Sequence, residues 1–206
     1  VASASDNPVL VEAAIALRAE RFRDAETLIR PYRRRHPDDP VAALMLADIA
    51  NSVGAFDDAE ALLREALDLA PSYTAAANRL AQFQARCGRW RDAVDTLGAL
   101  IAEHPDDQRL IGSRAAALVR LGDYPAALAD YERALSLAPE RAPIWMSYGH
   151  TLKTVGRLAD AVSAYRKAVS LAPSYGEVWW SLANLKTFRF SDDDIRQMRL
   201  ALADAG

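Results

Sequence analysis

Three histidines, one cysteine and two charge runs are the residues of this 206-residue sequence best suited to chemistry. The histidines do not form a ligand set. His36 and His104 stand just before Pro37 and Pro105, in loops near helix ends, and His150 is alone on its helix. A metal site needs several ligands at compatible spacing, so none is expected. Cys87 precedes Gly88 at a helix end and has no identifiable partner base, which reads as a buried or half-buried structural thiol rather than a nucleophile. Arg33-Arg34-Arg35 closes a helix, where cations complement the negative end; a docking patch is the alternative. Asp192-Asp193-Asp194 mirrors it at a helix start. There is no Gly-rich nucleotide loop. The nearest string, Ile111-Gly112-Ser113-Arg114, falls mid-helix, where the amides are already bonded. No catalytic residue, metal ligand or cofactor is therefore assigned to this chain, and it is not expected to be an enzyme by itself.

Side chains suited to gripping a polypeptide are more numerous. Amides that both donate and accept, Asn51, Asn78, Gln82 and Asn184, can pair with an extended backbone. Arg86, Arg120 and Lys153 can hold carboxylates. Met146 and Trp180 offer apolar contact. Asp48, Arg109 and His150 complete the set. These residues belong together only if something repeats them on one face.

A repeat does so. Pro37, Pro71, Pro105, Pro139 and Pro173 recur every 34 residues, in step with Ala25, Ala59, Ala93, Ala127 and Ala161. Gly54, Gly88, Gly122 and Gly156 form another ladder; Ala13, Ala47, Ala81, Ala115, Gly149 and Ala183 form a fourth. A fixed period means a stack of like supersecondary units. The units run 6–39, 40–73, 74–107, 108–141 and 142–175, with a divergent sixth over 176–206. Each holds two helical patterns, the first ended by glycine in a left-handed conformation and the second stopped by its proline. Pro40, Pro125 and Pro143 fall in first turns, where the missing N–H is harmless. Small residues at places 8 and 20 let the paired helices approach. The large apolar residue at place 17 (Phe22, Phe56, Trp90, Tyr124, Leu158) is expected to plug the gap between hairpins. In each first helix, places 2, 5, 9 and 12 share one face, opposite the packed places 4, 7, 8 and 11.

Unit five carries Trp145, Tyr148, Gly149, Gly156, Ala161, Tyr165, Ala168 and Pro173, and this pattern resembles the tetratricopeptide repeat. The resemblance covers nearly the whole chain. It implies an all-α, right-handed solenoid of antiparallel hairpins whose first helices line a concave groove that takes a peptide or protein segment. Unit one departs from the pattern, with Glu20 for Gly and Tyr32 for Ala, and is expected to act as a cap. The family's carboxylate clamp would need Lys and Asn where this chain has Leu10 and Ala14, so chaperone-tail binding is not expected. In unit six, Ile195 replaces the small contact residue. Ser191 and Asp194 form a capping-box pattern for a helix from about 192 to 203. The run from Trp179 through Phe188 and Phe190 to Asp192 resembles the join to the catalytic domain in bacterial tetratricopeptide-sulfotransferases. It implies that this chain is the non-catalytic front part of such an enzyme. 3′-Phosphoadenylyl sulfate would then be the cofactor of the domain downstream only.

Composition bounds the partners. The net charge of −3 gives no bulk attraction to nucleic acid or anionic lipid. The 25 basic residues are 22 Arg and 3 Lys, read mainly as codon bias and secondarily as carboxylate-binding arginine. No apolar run reaches the length of a membrane span. One cysteine excludes a disulfide framework and fits a reducing compartment, and a cytoplasmic setting is expected. The remaining alternative is an assembly module, a homodimer formed through an open apolar end at Trp179, Phe188 and Phe190.

Overall fold

The computed structural model describes residues 7–185 and 188–203. Among them are twelve α-helices and no strand, making the chain an all-α solenoid of antiparallel hairpins. In chain order the helices are α1 (Pro8–Arg18), α2 (Phe22–Arg35), α3 (Pro40–Ser52), α4 (Phe56–Leu69), α5 (Thr74–Arg86) and α6 (Trp90–Glu103). They continue with α7 (Gln108–Leu121), α8 (Tyr124–Leu137), α9 (Ala142–Thr154), α10 (Leu158–Leu171), α11 (Gly176–Ala183) and α12 (Asp192–Ala203).

The helix ends follow from local chemistry. Asn7, Asp39 and Asp107 accept from the backbone N–H two residues on, at 3.0, 2.8 and 2.9 Å, satisfying donors the helix leaves open. Gly54, Gly88, Gly122 and Gly156 end first helices with φ between +74° and +83°. Unit one lacks that glycine, and Glu20 takes the place with φ +54°. Pro31 lies inside α2, and the helix continues through it to Arg35. The loop prolines have a second use. Trp145 and Trp179 donate their indole N–H to the carbonyls of Pro139 and Pro173 at 2.8 and 2.9 Å, tying each first helix to the loop before it.

The chain divides into two compact units, 1–103 and 104–206. In both, the small-residue ladders are the axis of the hairpin: Ala13, Ala25, Ala47, Ala59, Ala81, Ala93, Ala115, Ala127 and Ala161 are at most 2% exposed. Place 17 is mixed: Phe22, Trp90 and Tyr124 are half-buried, with Phe22 packed on the first unit's core, while Phe56 and Leu158 remain 51% and 41% exposed and Phe56 meets Phe83 of the next hairpin. The first unit's core adds Ile29, Leu63, Leu80 and Phe83 to its alanines. The second unit's core is more aromatic, with Tyr131, Tyr165 and Trp179. There Gly149 is required: a Cβ would stand 2.6 Å from the Tyr165 ring.

Arginine forks tie helices within each unit. Arg89 grips Glu60 at 2.9 and 2.7 Å in the first. In the second, Arg114 grips buried Asp130 at 2.7 Å through both nitrogens, and Arg166 grips Asp194 at 3.0 and 3.2 Å. The α12 start is a reciprocal capping box: Ser191 N–H donates to Asp194 at 2.8 Å, and Asp194 N–H donates to the Ser191 hydroxyl at 3.2 Å. Ile195 on this helix is 40% exposed. Lys186 and Thr187, within the sulfotransferase-like run, and the last three residues of the 176–206 segment lie outside the described residues.

Candidate binding faces on the first helices

In the first unit, α1, α3 and α5 wall a hollow of about 570 Å³. Its apolar side is Leu17, Val41, Leu44 and Met45; its polar side is Asp48, Asn51, Tyr73 and Arg79. A smaller hollow continues along α5 past Asp48 and Asn51 to Gln82 and Arg86. Four of the five residues expected here from the sequence, Asp48, Asn51, Gln82 and Arg86, are thus brought together. Asn78 is half-buried one turn before Gln82 and lines neither hollow.

These side chains pair with one another. The Arg79 guanidinium lies 3.2 Å from the Asp48 carboxylate. Arg86 donates to the Asn51 side-chain oxygen. Burial pushes the Asp48 carboxyl above its ordinary value, and Arg79 opposes the shift. Burial also raises the Tyr73 phenol, helped by Asp39 and Asp48, so its hydroxyl stays protonated as a donor. Arg79 was missed by the sequence reading because it lies off the 2/5/9/12 face. Its signal was present: Arg79, Gln82 and Arg86 are spaced by three and four, which puts them on one helical stripe.

In the second unit the expected residues have different fates. Arg109 folds back onto Asp107, the α7 cap, at 3.1 and 3.4 Å and is engaged there. Arg120 is exposed in the last turn of α7. Met146 is half-buried against the core. His150 Nδ1 lies 2.9 Å from the Tyr165 hydroxyl, its ring edge-on to that phenol. Burial lowers the His150 pKa, with Glu177 opposing and Lys153 adding. Burial raises the Tyr165 pKa to about 12, so the phenol keeps its proton in this contact. Lys153 and Asn184 are exposed, and Trp180 is 67% exposed.

Among the described residues no group of three or more His, Cys, Asp or Glu could hold a metal ion. Cys87 is exposed rather than buried or half-buried, because it caps α5 at the solvent edge of the hairpin. No described helix is long and apolar enough to cross a membrane.

Glycine-ended helix hairpins with polar first-helix faces define a helical-repeat module. Two family models, both described as tetratricopeptide repeat, match it: one over residues 10–74 and 113–175, the other over 50–117. The chain belongs to the tetratricopeptide repeat family. Solved structures of the same fold include the MamA RS-1 ArsTM double mutant, 18% identical with a TM-score of 0.73, covering 82% of this chain and 95% of that one. MamA 41-end from Desulfovibrio magneticus RS-1 is 18% identical at a TM-score of 0.73, covering 81% and 94%. A MamA AMB-1 structure is 22% identical at 0.69, covering 80% and 98%. No curated protein matches the chain.

Proposed function

We propose that this chain is a non-catalytic binding module that captures an extended protein segment on its first-helix faces. The observation that carries this reading is the hollow of the first unit, where apolar Val41 and Leu44 lie beside Asp48, Asn51 and Arg79, and Gln82 and Arg86 continue the face. Asn51 and Gln82 would pair with the segment's backbone, and Arg79 and Arg86 would take its carboxylates. The pairs they now make are partly exposed, so exchanging them for a ligand's groups costs little. Peptides selected from a random library on the wild-type chain provide the test. Replacing Asn78, Gln82 and Arg86 together by Ala should abolish their capture with the helical signal intact; retained capture would place the site elsewhere.

On the resemblance of the run ending at Asp192 alone, we further propose that the parent protein carries a sulfotransferase domain downstream. The family matches end at residue 175 and do not bear on this point. A phosphosulfate-binding loop encoded downstream in the natural gene would support it, and a stop codon near Gly206 would end it. Self-association is a second reading. Trp179, Phe188 and Phe190 pack on one another and on the second unit's core rather than forming an open end. Apolar groups left outside in this segment include Trp180, Ile195 and Leu200, 67%, 40% and 61% exposed. A monomer mass by light scattering at high concentration would remove that reading.

A further inference from the structure

On the side of the first unit built by its second helices, α2 and α4 leave a cleft of about 490 Å³ over the back of α3. The floor is apolar: Leu46, Ile49 and Ala50 from α3, and Leu62 from α4. Ile49 is 5% exposed and the other three are half-buried, while Val53 stands open at the mouth. The opening has a cause in the sequence. Ala50 is the eleventh residue of its unit; one, two and three periods on, that place holds Gln84, Leu118 and Leu152, all buried and all larger.

The rim is charged. Glu26, Asp58 and Glu65 line it with Arg30. Arg30 pairs with Glu26 at 2.6 Å, and Arg33 pairs with Glu65 through one terminal nitrogen while the other is buried without a hydrogen-bond partner. The Asp58 side chain, in the first turn of α4, makes no ion pair or hydrogen bond among the described residues. Two cations against three carboxylates leave one negative charge unmatched beside an apolar floor.

We propose that this cleft receives a lysine or arginine side chain of a partner protein. The aliphatic stem lies on Leu46, Ile49, Ala50 and Leu62, and the cationic head reaches Asp58 at the mouth. Only an amphipathic cation satisfies both halves of the cleft: long basic side chains bury their methylenes and keep the charge at the edge. A charge-assisted hydrogen bond then supplies the directional part. A purely apolar group would leave the Asp58 charge unmatched, and an acidic group would be repelled by the rim. This site lies apart from the first-helix hollow, so its fate is independent of the function proposed above.

The test is a nuclear magnetic resonance titration of the full chain with acetyl-Leu-Arg-Leu-amide. The same tripeptide with norleucine or glutamate at its centre serves for comparison. The arginine probe should shift the backbone amides of Val53, Ala55, Asp58 and Ala61 saturably, and more salt should weaken it. Asp58→Asn should reduce its affinity about tenfold, the size of one charge-assisted bond. Ala50→Leu should do the same by filling the floor, while Asp58→Asn, a surface change, secures the result if the larger side chain disturbs folding. Equal binding of the norleucine probe, absence of saturable shifts, or unchanged affinity in both variants would overturn the proposal. So would sedimentation showing a wild-type dimer that either variant dissolves, since the occupant would then be a second copy of this chain.

Discussion

Single side chains here carry consequences that can be measured. Glu20 sits at φ +54°, a conformation that costs a non-glycine residue about 1–2 kcal/mol. Glu20→Gly should therefore stabilise the first unit by about 1 kcal/mol, after the extra freedom of glycine in the unfolded chain is discounted. Urea denaturation measures it. Gly149→Ala should act in the opposite direction. The new methyl would stand 2.6 Å from the Tyr165 ring, and displacing that buried phenol costs about 1–3 kcal/mol, the range for overpacking a core. The same pair sets a pH dependence. Burial holds His150 below its ordinary value of 6.5, so the unfolded chain binds the proton more readily than the folded one. Stability from this group is full above about pH 6.5, declines as pH falls toward the lower folded value, and levels below it. Denaturation midpoints measured from about pH 7.5 down to 5.5 should fall in wild type and fall less in His150→Gln.

At the scale of helices, the hairpins were legible in the sequence and the bonds between them were not. The glycine, alanine and proline ladders work through backbone geometry and close approach, which need no knowledge of the neighbour. The same is true of the Ser191–Asp194 capping box, whose partners lie three residues apart. The arginines were different. Codon bias was the leading expectation for their excess, yet Arg89, Arg114 and Arg166 each make a two-pronged grip on a carboxylate of another helix. Those partners lie between 16 and 29 residues away, a distance no local pattern exposes. Lysine cannot replace the planar fork. Asp130 is only 7% exposed, so Arg114→Met should strand a buried charge and cost about 3–5 kcal/mol. Arg114→Lys should cost less than half of that, as one bond of the two survives. Thermal unfolding separates the two outcomes. The candidate binding residues were half legible for a related reason: periodicity found Asn51 and Gln82, but Arg79 reaches the hollow from the neighbouring stripe.

At the scale of the whole molecule, the chain is two compact units. Repeat arrays of this kind are stabilised by each unit and its nearest neighbours, so damage need not spread. Leu63 is 4% exposed in the first core, and Leu63→Ala should cost that unit about 2–5 kcal/mol. Three of the four tryptophans, Trp145, Trp179 and Trp180, lie in the second unit. In the variant, far-ultraviolet circular dichroism should begin to change at lower denaturant than tryptophan fluorescence; coincident transitions would mean that the chain unfolds as one body. The exposed thiol of Cys87 has a practical sequel. It is the sole sulfhydryl of the sequence and directly follows Arg86 on the candidate face. A maleimide dye would therefore couple at one defined point, beside the hollow and off the core, and its emission would report occupancy of that face without any engineering of the chain.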